Sequence, residues 1–171
     1  VNREVFDYEF ELAHKDLFQS LESISDMVFI DTESRGNASS VQILEEVDLV
    51  VVNIDQDKED WDDYFENYAS MLEKSVFLIG RYEKENPFNL ELIQRQYHIP
   101  RGKMAVIPYN IDLHIAANEG RMIPFLNRNY LKSSRAENEY LMGEVKRAVI
   151  MLKENMTYLG KPDMMRRFGK N

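Results

Sequence analysis

Four short, almost unbroken apolar runs constrain this chain more than any other feature. They are Met27–Asp31 (MVFID), Val47–Ile54 (VDLVVVNI), Val76–Ile79 (VFLI) and Met104–Pro108 (MAVIP). A strand with one face in water alternates apolar and polar residues. A strand buried on both faces does not, and parallel sheets are built from such strands. Between the runs lie helical patterns. Phe10 to Ile24 spaces Leu17, Leu21 and Ile24 along one side, and Val41 to Glu46 leads to the second run. Glu59 to Leu72 carries Trp61, Phe65, Tyr68, Ala69 and Leu72 as a stripe. Pro87 opens a further helix to about Tyr97, with Asn86 as its cap. A long helix over Ala136–Tyr158 aligns Leu141, Val145, Ala148, Leu152 and Met156. Strands alternating with helices predict βαβ units: an α/β fold, mostly parallel, with helices on both faces of the sheet.

Length and composition agree with one α/β domain over residues 1–171. The chain has 171 residues, 44% of them hydrophobic and 30% charged, enough to bury a core unaided. It has no cysteine, which excludes disulfide scaffolds, thiolate zinc sites and cysteine nucleophiles. No apolar run approaches the ~20 residues of a membrane-spanning helix, and no signal peptide opens the sequence. A cytoplasmic setting is the expectation. The net charge of −9 is unevenly spread. Residues 121–171 hold 11 Lys or Arg against 5 Asp or Glu, and residues 1–120 hold 10 against 25. A basic end of this kind either meets an anionic surface, nucleic acid or membrane, or belongs to a C-terminal helix packed on an acidic body.

Two strand ends carry candidate chemistry. Asp31 closes the first run and is followed by Thr32-Glu33-Ser34-Arg35-Gly36. An aspartate at the carboxyl tip of a buried strand can hold a water on Mg²⁺, and a nearby glycine lets backbone approach a phosphate. The last run ends in Ile107-Pro108-Tyr109-Asn110, a turn into an alanine-bearing helix that begins Ile111 to Ala116, and then Gly120. Taken in order, FIDT…G, EEVDLVVVNI, VFLIGRY and AVIPYN resemble the C-terminal portion of a MinD/ParA-type, deviant-Walker P-loop ATPase, over about Leu12 to Leu152.

That resemblance implies a three-layer P-loop NTPase-like fold that binds ATP and Mg²⁺. It implies Asp31 as the switch II aspartate, reaching Mg²⁺ through water, and Gly36 as the γ-phosphate-sensing glycine. Pro108, Tyr109 and Asn110 would flank adenine. The base-contacting Asn of the family falls at Gly80, so Arg81 or Asn110 would substitute. The loop from Asp31 to Gly36 is one residue longer than D-x-x-x-G. None of the seven glycines begins the Lys-Ser/Thr ending of a phosphate-binding loop, G-x-x-x-x-G-K-[ST]. In the family that loop precedes the region matching Val1, so the chain reads as the rear of a larger ATPase, inactive by itself.

Two functions follow from the resemblance. One is an ATP-dependent partitioning protein, a homodimer that positions chromosome, plasmid, pilus or conjugation machinery, with a protein activator. The other is a non-catalytic MinD/ParA-like localisation or interaction domain with a decayed nucleotide site. The acidic body suits a basic partner under either. The end of the chain, 160–171, is a basic tail in which Met164, Met165 and Phe168 oppose Arg166, Arg167 and Lys170 on a helix. It reads as a frayed terminus or a feeble membrane anchor. Asp55 to Glu66 imitates a calcium loop but has Asp60 where the turn glycine belongs, so a helix start is expected. His14, His98 and His114 read as surface or helix-end histidines.

Overall fold

The computed structural model describes residues 3–32, 38–132 and 135–158. The chain divides between Asp48 and Leu49 into two compact units.

In the first unit, helix α1 (Arg3–Ile24) packs on α2 (Ala38–Glu46). Of the expected stripe Leu17, Leu21 and Ile24, Leu21 alone turns inward. Leu17 and Ile24 are exposed, while His14 is buried and Phe10, Phe18 and Leu21 are half-buried. The His14 ring stacks on Phe10, with centroids 5.7 Å apart, and meets Phe18 edge-on. The run Met27–Asp31 forms no strand. Its Phe29 is 87% exposed. Apolar character suits a strand, but a ladder needs a neighbour to accept its backbone groups. No strand among the described residues pairs with this segment.

The second unit holds a three-stranded parallel sheet in the order β1 (Val50–Ile54), β2 (Ser75–Tyr82), β3 (Met104–Pro108). Val50 pairs with Ser75 and Ile54 with Ile79, and Phe77 pairs with Met104. Side chains alternate across the sheet, so each strand feeds two cores. Phe77, Ile79, Met104 and Val106 turn to the face where Trp61 of α3 (Lys58–Asn67) and Ile93 of α4 (Leu90–Tyr97) pack. Val76 and Ala105 turn to the other face, where Ala148 and Met151 of α7 (Ala136–Tyr158) cover them. The expected α/β class, with helices on both faces of a parallel sheet, is present in this unit.

Local chemistry explains most boundaries. Asp57 caps α3, its side chain accepting from the Glu59 amide, so the acidic run at Asp55 to Glu66 is a helix start. A 3-10 segment (Ala69–Lys74) then leads into β2, and Lys103 closes its end by donating to the carbonyls of Leu72 and Glu73. Helix α4 begins three residues later than expected. Its cap is Asn89, which accepts from the Leu92 amide at 3.0 Å. The Asn86 side chain instead accepts from Phe88, an Asx turn that keeps Pro87 out of the helix. Helix α5 (Ile111–Asn118) follows β3, and α6 (Met122–Leu131) carries Pro124 in its first turn, where the missing amide costs nothing. Ser75, fully buried in β2, donates to the Met71 carbonyl and pairs with the Tyr64 hydroxyl at 2.8 Å.

Candidate functional site

In open parallel sheets, ligands bind beyond the carboxyl ends of the strands. Here those ends bring together Asp55 and Gln56 after β1, Arg81 and Tyr82 in β2, and Tyr109 and Asn110 after β3. Four of the residues singled out by sequence, Arg81, Pro108, Tyr109 and Asn110, therefore share one edge. Asp31 is exposed in the irregular segment of the first unit. Gly36 and the tail 160–171 lie outside the described residues.

The edge is tied together by its own side chains. β2 breaks register between Ile79 and Tyr82, and Arg81 takes a left-handed φ of 46°, a conformation that costs a side-chain-bearing residue energy. Its guanidinium pairs with the Asp55 carboxylate, which holds the arginine charge even more firmly than usual. Gly80 makes room for this pair. A Cβ at that position would sit 3.0 Å from Asp55 Oδ1. The glycine at position 80 thus admits the Asp55 carboxylate. Beside it, the Gln56 amide imitates a strand. It accepts from the Glu83 amide at 2.7 Å and donates to the carbonyls of Glu83 and Phe88. The Asp55 carbonyl accepts from Trp61 Nε1 at 2.9 Å. Tyr109 extends the ladder by donating its amide to the Tyr82 carbonyl at 3.1 Å.

Asn110 is likewise engaged at both ends of its amide. Its oxygen caps α5 by accepting from Leu113 at 2.8 Å, and its Nδ2 donates to Asn138 Oδ1 at 2.8 Å. Asn138 passes the chain on, donating to Asp112 Oδ2 at 3.0 Å, and Arg135 Nη1 reaches the same carboxylate at 2.7 Å. Asn110 and Asn138 are 7% and 4% exposed, so the bond between them lies in the interior, and Asp112 and Arg135 carry the relay to the surface. Together these bonds fasten the start of α7 to the start of α5. The hydrogen bond from Arg135, then that from Asn138, holds the Asp112 carboxyl below the usual carboxylate range.

Because the folded-state value is lowered, this interaction stabilises above the unfolded carboxylate range near ~4 and is lost as pH falls through the lower folded value. Arg135→Gln is expected to move the Asp112 titration up toward the ordinary range, read from its side-chain carboxyl carbon by NMR. An unchanged midpoint would contradict the pairing.

Sequence reasoning missed Asp55, Gln56, Asp112, Arg135 and Asn138 as the partners that close this edge. Asp55 carried a signal, since it follows a buried strand as Asp31 was expected to. The others did not, because their partners are 23 to 32 residues away. The histidines divide. His98 ends α4 in a left-handed conformation, and His114 is exposed, its Nε2 3.4 Å from Asn118, both as expected. His14 differs: it is 8% exposed, with Nε2 2.9 Å from Glu46 and Nδ1 3.2 Å from the Phe10 carbonyl, and it joins α1 to α2.

Among the described residues no group of three His, Asp or Glu is arranged to hold a metal, and no helix is long and apolar enough to cross a membrane. No protein-family model, curated protein or solved structure matches the chain.

Proposed function

We propose that this chain is a non-catalytic localisation or protein-interaction domain of MinD/ParA type, whose nucleotide edge has been given over to structure. The observation that supports this most is the commitment of the two expected base contacts. Arg81 is turned to Asp55, and Asn110 is capped on one side and bonded to Asn138 on the other. These residues do not fit adenine without giving up bonds that hold strand ends and helices together. For Mg²⁺, Asp31 is an exposed carboxylate with no strand to aim it. The acidic balance of residues 1–120 suits a basic protein partner.

The ATP-dependent positioning protein remains the second reading, with ATP, Mg²⁺, a homodimer and a protein activator. One observation favours it: Arg81, Pro108, Tyr109 and Asn110 lie on the carboxyl edge of adjacent parallel strands, and Tyr109 is 52% exposed. Calorimetric titration with Mg-ATP to about 1 mM separates the two when it is run on a longer chain that carries the sequence encoded ahead of Val1, phosphate-binding loop included where there is one. The interaction-domain reading expects no saturable heat at this level, which corresponds to about 4 kcal/mol of binding. Saturable binding that Asn110→Ala weakens would overturn it in favour of the ATPase.

A further inference from the structure

Helix α6 leaves apolar surface outside. It buries Asn129 and half-buries Phe125 and Leu126, while Ile123, Tyr130 and Leu131 are exposed, Leu131 by 89%. Its neighbour α7 continues the surface, because Lys146 Nζ lies 4.8 Å over the Tyr130 ring. From Lys146 the outward side of α7 runs through Val149, Ile150 and Lys153, all exposed. These positions follow i, i+3, i+4, i+7 and form one stripe in which lysines bracket two aliphatic residues. Apolar surface gathered in this way marks a place where something docks.

The complement is on the same chain. The outer side of α1 presents Glu9, Leu12, Ala13 and Asp16, all exposed and at the same i, i+3, i+4, i+7 spacing. Here carboxylates bracket the apolar pair. In both stripes the bracketing charges are seven residues apart, about 10.5 Å along a helix. Two helices carrying these stripes can pair with acid against lysine at each end and aliphatic against aliphatic between. The wider charges agree: residues 1–48 hold 3 Lys or Arg against 12 Asp or Glu, and residues 121–171 are basic.

We infer that this surface docks a second copy of the chain, with the acidic outer stripe of α1 in one molecule lying on the basic outer stripe of α7 in the next. The contact uses a different patch on each partner, so it is head-to-tail. Association then proceeds beyond the dimer unless a ring closes. It uses none of the strand-end residues and stands whether or not the chain binds nucleotide.

Sedimentation velocity of the full chain, from about 1 to 100 µM without nucleotide, tests this. The weight-average mass should rise with concentration and fall back in about 1 M salt, where exposed charges are screened beyond ~3 Å. Lys146→Glu with Lys153→Glu should weaken self-association at least about tenfold, and so should Glu9→Lys with Asp16→Lys, because like charges then face each other. Each double variant should keep the wild-type circular dichroism. Mixed in equal amounts, the two restore association, since each reversed stripe meets its opposite. Two results would overturn the inference: a wild-type chain that stays monomeric to about 100 µM, as a contact made within one molecule would leave it, or a mixture as inert as its components.

Discussion

Trp61→Ala is expected to destabilise the sheet-bearing unit by about 3–5 kcal/mol. Trp61 is fully buried. Its ring meets Phe77 of β2 at 5.2 Å, Tyr97 of α4 at 5.5 Å and Phe65 at 6.4 Å, so one side chain joins α3 to the sheet and to the next helix. Its indole nitrogen also donates to the Asp55 carbonyl, and truncation leaves that acceptor without its partner. The loss is therefore cavity and hydrogen bond together. Chemical denaturation followed by far-ultraviolet circular dichroism measures it, because the substitution removes the chain's single tryptophan. At ~2–4 °C per kcal/mol for a chain of this size, the melting midpoint should fall by about 6–20 °C. A fall of under ~1 kcal/mol would mean that α3 does not pack as described.

The second large effect concerns the relay at Asn138. Asn138→Asp is nearly isosteric, yet it replaces the group that donates to Asp112 Oδ2 with a second carboxylate, at a site 4% exposed. A buried charge facing a like charge is expected to cost about 3–5 kcal/mol at neutral pH. Burial and the neighbouring Asp112 raise the folded-state value of the new carboxyl above its unfolded value. The cost is thus fully present above that raised value and vanishes as pH falls through the unfolded range near ~4. Asn138→Ala, which removes the bonds without adding charge, should cost ~1–3 kcal/mol with little dependence on pH. Denaturation of both variants at pH 7 and pH 4 checks the account. Equal losses at both pH values for the aspartate variant would show that Asn138 does not face Asp112.

How much of this was legible in the sequence depends on the range of the interaction. Met104–Pro108 and Ala136–Tyr158 have the bounds expected of them, because an unbroken apolar run and a long 3.6-residue stripe report burial locally. Met27–Asp31 has the same character and forms no strand, because pairing is decided by a neighbour that hydropathy does not reveal. Two asparagines, Asn86 and Asn89, can each cap a helix, and only the bond from Leu92 selects the second. Helix α6 escaped notice because Phe125 and Leu126 share its inner side with a buried Asn129 while Ile123, Tyr130 and Leu131 stay exposed, a mixture that imitates no template. At the candidate site, the clustering of Arg81, Pro108, Tyr109 and Asn110 was legible as strand ends. What those side chains touch was not. Arg81 meets Asp55 26 residues away, and Asn110 meets Asn138 28 residues away.

The central claim is that the amides at the carboxyl edge of the sheet are committed to holding the fold. The most direct measurement is the side-chain amide spectrum of Asn110 and Asn138 by nitrogen-15 NMR, with Mg-ATP added to about 1 mM. The account expects both amides to resonate as hydrogen-bonded, solvent-shielded groups whose shifts stay unchanged through the titration. Saturating shifts at Asn110, with the Asn138 resonance released toward that of an exposed amide, would contradict it.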